Sequence, residues 1–349
     1  MEPTQNPSPT PALKPLIIPV FIPHCGCPHT CVFCNQRAIT GTSRALPEKN
    51  EIHARVDEFL GYKRKNRLLT ELSFFGGNFL GLELEQIKQL LDAAVGLVTY
   101  GKIDGIRFST RPDTIDENRL RVIRSYPVST VELGVQSMDN GVLRQAGRGH
   151  SAEDTVHAVK LLQGESLAVG LQIMTGLPGD TEDICLETAR RVIALKPDFV
   201  RIYPTLVIEG SALADWYRKG QYQPLSMGAC VTQLKKLYLL FTGSGIPVIR
   251  MGLQASGELD DPATVLAGPY HPALGHMVFS EIFLDAAAEQ IQKKSSPRDA
   301  VCLTVNPRNL SRMQGLHKKN IQTLKQMFRL SRVEIKTDDA LTLNSVTVI

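Results

Sequence analysis

No apolar run in the 349 residues approaches the roughly 20 that a membrane-spanning helix needs. The stretch Leu16 to Ile22 is short and contains Pro19. The first fifteen residues lack the basic start and apolar middle of a secretion signal, and they carry Pro3, Pro7, Pro9, Pro11 and Pro15. They predict a flexible tail, residues 1–15, on a cytoplasmic protein with no membrane partner. Charge of one sign is also lacking: 39 Lys and Arg against 35 Asp and Glu leave a net charge of +4, too weak to imply nucleic acid by itself. A disulfide framework is excluded by the cysteine pattern. There are seven, an odd number, and Cys25, Cys27, Cys31 and Cys34 crowd into ten positions, which points to a metal or redox site in a reducing compartment. No internal repeat is present beyond a β-α alternation.

That alternation is the main thing the sequence does contain. Strands are expected at Leu16–Ile22, Glu71–Phe75, Gly105–Ser109, Thr130–Val135, Ala168–Ile173, Phe199–Tyr203 and Pro247–Met251. Most are continuous apolar runs, as strands buried on both faces should be. Amphipathic stretches lie between them. In Glu83–Tyr100, Leu84, Ile87, Leu91, Ala94, Val95 and Val98 recur at helical spacing, and Ser151 with Asp154 reads as an N-cap before a helix ending near Gly164. The expected fold class is α/β, a parallel sheet curling into a partial (β/α) TIM-like barrel over residues 16–255, with its chemistry in loops at the C-terminal ends of the strands. The rhythm fails after Ser256. Residues 256–349, with "AVCLTVNP", a long helix from about Asn309 to Leu330 and the runs "VEIKT" and "LTLNSVTVI", predict a small α+β C-terminal domain.

The cysteine loop "PHCGCPHTCVFCNQ" directly follows the first strand. Three thiolates on one loop, Cys27, Cys31 and Cys34, suit three irons of a four-iron cluster and leave the fourth iron open for chemistry. Zinc stays open as an alternative, with Cys25, His24 or His29 completing a tetrahedral site.

Cys27-x3-Cys31-x2-Cys34, with Phe33 before the last cysteine, resembles the signature of radical S-adenosylmethionine (SAM) enzymes. The resemblance implies a [4Fe-4S] cluster on those three cysteines and SAM on the open iron. It also implies a one-electron donor of flavodoxin or ferredoxin type, reductive cleavage of SAM and hydrogen abstraction from an organic substrate by a 5′-deoxyadenosyl radical. Cys25 is expected to be a bystander.

The next loops extend the likeness. "SFFGGNFLGL" resembles the family's glycine-rich motif, with Gly76 and Gly77 as SAM contacts and Asn78 where a Glu or Thr is usual. "RFSTRPDTID", "VELGVQSMDNGVLRQAGRGH" and "GLQIMTGLPGDT" resemble the branch containing oxygen-independent coproporphyrinogen oxidases and the Elongator catalytic subunit. By position, Ser109 and Gln136 are implied at the adenosyl ribose or its surroundings, Arg148 at the SAM carboxylate, and Gln172 where some relatives carry a ribose-binding acid. Tyr203-Pro204-Thr205-Leu206-Val207, Trp216 and Gly220-x-Tyr222 look like the matching segment of the Elongator subunit, and an RNA base, as in tRNA modification, is the implied substrate. That subunit spaces its first two cysteines more widely, and nothing after Ser256 resembles its acetyltransferase domain. Two other readings accompany this one: the same enzyme chemistry on a small metabolite such as a tetrapyrrole, and a zinc or iron-sulfur RNA-binding module without SAM chemistry.

Several polar features admit structural and functional readings alike. Tyr203 and Trp216 fit a substrate channel or simple packing. His271 and His276 fit a hydrogen-bonded loop better than a metal pair. Between Ala300 and Val333 there is no acidic residue, while Arg308, Arg312, Lys318, Lys319, Lys325, Arg329 and Arg332 are present. With "YKRKNR" at Tyr62–Arg67, these basic residues form either a solvated surface or a phosphate-binding face. Cys185, Cys230 and Cys302 read as small buried hydrophobes.

Overall fold

The computed structural model describes residues 15–28, 30–41, 45–62, 68–294, 299–343 and 345–348. The Pro-rich tail up to residue 14, His29 and the basic stretch 63–67 lie outside the described residues. Six strands run in chain order as β1 (Leu16–Phe21), β2 (Thr70–Phe75), β3 (Gly105–Thr110), β4 (Val128–Gln136), β5 (Ala168–Thr175) and β6 (Phe199–Pro204). A short β7 (Val207–Ile208) precedes β8 (Val248–Met251), and β9 (Val265–Ala267) pairs back antiparallel onto β7. The sheet order β1-β2-β3-β4-β5-β6-β8 is parallel throughout and forms a partial barrel, as the alternation predicts. Every expected strand lies within two residues of the observed one at both ends; the central strands are buried on both faces, whereas on the edge strand β8 Ile249 is exposed.

Helices pack on the convex face. Ser151 caps Ala152–Gln163 in a reciprocal capping box: its hydroxyl accepts from the Asp154 amide at 3.2 Å, and the Asp154 carboxylate accepts from the Ser151 amide at 2.7 Å. In the helix Leu84–Thr99 the buried face is Ile87, Leu90, Leu91, Ala93, Ala94 and Leu97, whereas Leu84 is exposed. The expected stripe is therefore rotated, because its first residue sits at the N-terminal end before the helix reaches the sheet. Beneath the second loop, Phe79 stacks on Phe74 at 5.1 Å and on Phe108 at 4.5 Å between ring centroids. All three rings are fully buried and anchor that loop to the core.

The concave face is different in kind, because charged residues point inward from four strands. Arg107 on β3 lies 3.1 Å from Glu71 and 2.5 Å from Glu132, and Glu132 also meets Arg201 of β6 at 2.7 Å. The hydroxyls of Ser129 and Thr130 donate to Glu71 at 2.6 Å each. Buried charges persist only when paired and hydrogen-bonded, and here each carboxylate meets at least one guanidinium.

The helix Leu274–Lys293 joins two cores: Leu274 and Val278 belong to the barrel core, and Phe283, Leu284, Ala287, Ala288 and Ile291 to the second. That second core is completed by β10 (Ala300–Val305), β11 (Arg332–Thr337) and β12 (Val346–Val348), with β10 central. The long helix expected from Asn309 to Leu330 is instead broken. Leu310–Gln314 ends at Gly315, whose φ of +72° is left-handed, and a second helix runs Lys319–Phe328. A side chain on Gly315 would crowd the Asn320 carboxamide, which donates to the Ser280 carbonyl at 2.8 Å. Lys318 and Arg329 are therefore not on one helical face with Lys325, since they flank the second helix in left-handed conformations.

Candidate active site

The cysteine loop leaves β1 at the C-terminal edge of the sheet and is clamped by the loop after β2. His24 donates its amide to the Gly76 carbonyl at 2.9 Å, the Asn78 amide donates to the Cys25 carbonyl at 2.8 Å, and the Asn78 carboxamide donates to the Gly26 carbonyl at 2.9 Å. Such an approach is open only to glycines. Gly26 has a φ of +71°, and a Cβ there would overlap the Asn78 carbonyl oxygen and lie 2.8 Å from the Gly81 carbonyl carbon. A Cβ on Gly77 would overlap the Ile22 carbonyl oxygen and lie 2.7 Å from that of Cys25.

Asn78 itself is fully buried. Its oxygen accepts from the Thr110 hydroxyl at 2.7 Å, the Arg111 amide at 2.9 Å and the Thr114 hydroxyl at 3.0 Å. This residue was expected beside SAM. In the structure its side chain ties three loops together and offers no exposed surface to a ligand.

The far end of the cysteine loop is held as firmly. Val32 donates to the Ala146 carbonyl at 3.1 Å and accepts from the Leu213 amide at 2.8 Å. Phe33 packs against Val142, Ala146 and Leu177. The Gln36 amide donates to His24 Nε2 at 2.9 Å, and the Asn35 carboxamide donates to the Glu209 carbonyl at 2.7 Å. The segment after β6 thus docks directly on the cysteine loop.

The four cysteines now separate. Cys25 belongs to the barrel core, with its thiol 3.6 Å from the Pro23 carbonyl. Cys27, Cys31 and Cys34 are electrostatic neighbours, and Cys27 also feels Cys25, more weakly than it feels Cys31. Burial first, and then the neighbouring Cys31, push the Cys27 thiol up and the Cys34 thiol up to about 12, while a hydrogen bond from Gln36 pulls Cys34 the other way. Binding a metal at Cys27 and Cys34 would therefore release protons from both thiols. Arg148 Nη1 donates to Cys31 Sγ at 3.2 Å, and its Nη2 donates to the Gly134 carbonyl at 2.7 Å. Among the described residues no three His, Cys, Asp or Glu side chains converge as around a single ion. A cluster asks for one thiolate per iron corner, and three thiols on one clamped loop beside a guanidinium fit that donor set.

Gln136 ends β4 at a bulge with φ of +67°, an uncommon conformation for a buried, non-glycine side chain. It accepts from the Gln172 carboxamide of β5 at 2.7 Å. A Cβ on Gly134 would lie 2.8 Å from the Gln136 carboxamide and 3.4 Å from Arg148, so Gln136, Gln172, Arg148 and Cys31 form one contiguous wall. Gly76 lies against His24 and Gln36, and the Gln36 carboxamide donates to Cys34 Sγ at 3.6 Å. Ser109 is half-buried on β3, and among the described residues no side-chain hydrogen bond ties it to the group.

Sequence reasoning did not single out Arg111 and Asp113. Arg111 donates to Asp113 at 2.9 and 2.8 Å and to the Arg148 carbonyl. Burial alone would raise the Asp113 carboxyl, but hydrogen bonds and charge from Arg111 outweigh it and hold the pKa below the usual carboxylate range. An Arg-Pro-Asp sequence directly after a strand was the available signal. His271 accepts from the Ala273 amide at 3.0 Å, and His276 lies 3.4 Å from the Ser280 hydroxyl one turn on, as loop and helix features do.

Residues 21–192 match the Radical SAM superfamily model, and residues 197–283 match the Radical_SAM C-terminal domain. The chain is similar to a tRNA uridine(34) acetyltransferase of Dehalococcoides mccartyi, with 29% identity over 58% of this chain and 51% of that protein. It is also similar to human Elongator complex protein 3, with 27% identity over 61% of this chain and 47% of that one. Among solved structures, the archaeal Methanocaldococcus infernus Elp3 has the same fold: TM-score 0.59, 24% identity, covering 77% of this chain and 63% of that chain. The chain spans about half the length of these curated relatives.

Proposed function

The chain belongs to the radical SAM superfamily and is an enzyme that uses a [4Fe-4S] cluster and SAM, and from that premise we propose that its substrate is a base of tRNA. The observation that carries the proposal is the similarity, across the barrel, to proteins named for tRNA uridine modification. Exposed cations support it. Arg308, Lys318 and Arg329 lie on the C-terminal part and form no ion pair among the described residues. A reducing cytoplasmic compartment and a flavodoxin- or ferredoxin-type donor complete the proposal.

When bound, the cluster supplies the electron for reductive cleavage of SAM and so opens the way to hydrogen abstraction. The chain's own residues position and shield. Cys27, Cys31 and Cys34 would hold the irons, and Arg148 neutralises thiolate charge at Cys31. Gly77 keeps its backbone flush against the cysteine loop, and its carbonyl would accept from the SAM ammonium, since that of Gly76 already accepts from the His24 amide. Gln136 and Gln172 present paired carboxamides toward the ribose side. The buried Glu71-Arg107-Glu132-Arg201 network closes the floor against bulk water.

Binding of unmodified tRNA, measured against salt, tests the proposal together with nucleoside mass analysis after incubation with SAM and reductant. Affinity is expected to fall steeply with ionic strength, and Ala at Arg308 and Arg329 should each reduce the slope by about one unit. A mass change in one nucleoside, absent in Cys31→Ala, is the expected product. No binding at low salt would remove tRNA as the substrate.

A further inference from the structure

The inward-facing charges do not balance. Glu71 and Glu132 are shared by Arg107 and Arg201, but β8 adds a third guanidinium, Arg250. Arg250 stands in register with Arg201, whose side chain reaches across the concave face to Glu132 of β4 and lies over the Phe75 ring of β2 at 5.4 Å. Strand alternation therefore turns Arg250 toward the same interior. Its Nε donates to the Gly252 carbonyl at 3.2 Å, and among the described residues no carboxylate pairs with it. The residue is partly buried. Desolvation and the like charge of Arg201 hold its pKa below the ordinary arginine value, while Tyr203 works against them. The Tyr203 hydroxyl accepts from Arg201 Nη1 at 3.1 Å, which leaves its own proton free to donate.

We propose that Arg250 and the Tyr203 hydroxyl form an oxyanion subsite on the β6–β8 wall of the barrel, which binds a phosphate or carboxylate group of the substrate. An oxyanion there would supply the missing negative charge, take the two forward N–H groups of the guanidinium fork as a bidentate partner, and accept from Tyr203. The SAM wall runs over β1 to β5 and their loops, and its last member, Gln172 on β5, stands in register with Arg201 of β6, so the subsite on β6 and β8 borders the far end of that wall. It serves any anionic substrate, and its test uses no RNA, so its failure and that of the tRNA proposal are distinguishable.

The test uses cluster-loaded protein saturated with SAM, which occupies its own site. Melting temperature is followed while inorganic phosphate, or in a second arm acetate, replaces chloride at constant ionic strength. A saturable rise with phosphate assigns the subsite to phosphate groups, and one with acetate to carboxylates. Arg250→Met is expected to weaken the half-saturating concentration at least about tenfold, as loss of a charged hydrogen-bond pair does. Arg250→Lys, which keeps the charge and loses the fork, should fall between and serves as the comparison if the Met variant melts early. The same saturable rise in Arg250→Met, or no saturable rise with either anion in the wild type, would overturn the proposal.

Discussion

Alanine at Cys27, Cys31 or Cys34 is expected to reduce iron and sulfide in the reconstituted protein to background, whereas Cys25→Ala should leave both at wild-type levels. The first three thiols are electrostatic neighbours at the sheet's catalytic edge, and Cys31 is also held by Arg148. Cys25 is 8% exposed and packed in the barrel core, so removing its sulfur costs stability of about 1 kcal/mol and no ligand. Iron and sulfide assays read the difference directly. Full cluster content in Cys31→Ala, or its loss in Cys25→Ala, would reassign the ligands.

The second large effect is expected at Gly26, which is no ligand. Alanine there must adopt a left-handed φ of +71° and force its Cβ into the backbone of Asn78 and Gly81, where no flexible side chain can give way. The strained conformation and the overlap together should cost about 2–5 kcal/mol. Relief by separating the two loops would also displace Cys27, so cluster loading should fall along with the melting temperature. Gly228→Ala is the control. It sits in the helix Met227–Gly243 with open space around it, and alanine should stabilise by about 0.5–1 kcal/mol. Chemical denaturation of the two variants gives both signs. Equal stability of Gly26→Ala and the wild type would mean that the two loops are not in this close contact.

Much of this was legible in the sequence because the signals are local. Strands buried on both faces write themselves as apolar runs, and three ligands on one loop write themselves as spacing. What was not legible depends on distance in sequence. Arg148 and Cys31 are 117 positions apart and meet only through the fold. Glu71, Arg107, Glu132 and Arg201 are single charges inside mostly apolar strands, and their pairing depends on register. Asn78 occupied a motif position that implied ligand contact. Its burial follows from three partners contributed by the next loop. The bulge that turns Gln136 inward left no mark, since glutamine has no preference for positive φ. The break in the C-terminal helix was signalled by Gly315, which lies inside the run read as one helix from Asn309 to Leu330.

The central claim is that three of four crowded cysteines form an open cluster site at which SAM is cleaved reductively. The most direct measurement is the release of 5′-deoxyadenosine when the anaerobically reconstituted protein is given dithionite and SAM. Release is expected from the wild type and from Cys25→Ala, and from none of the Cys27, Cys31 and Cys34 alanine variants. Absence of the product from cluster-loaded wild type, or its persistence when all three of those cysteines are replaced, would contradict the account.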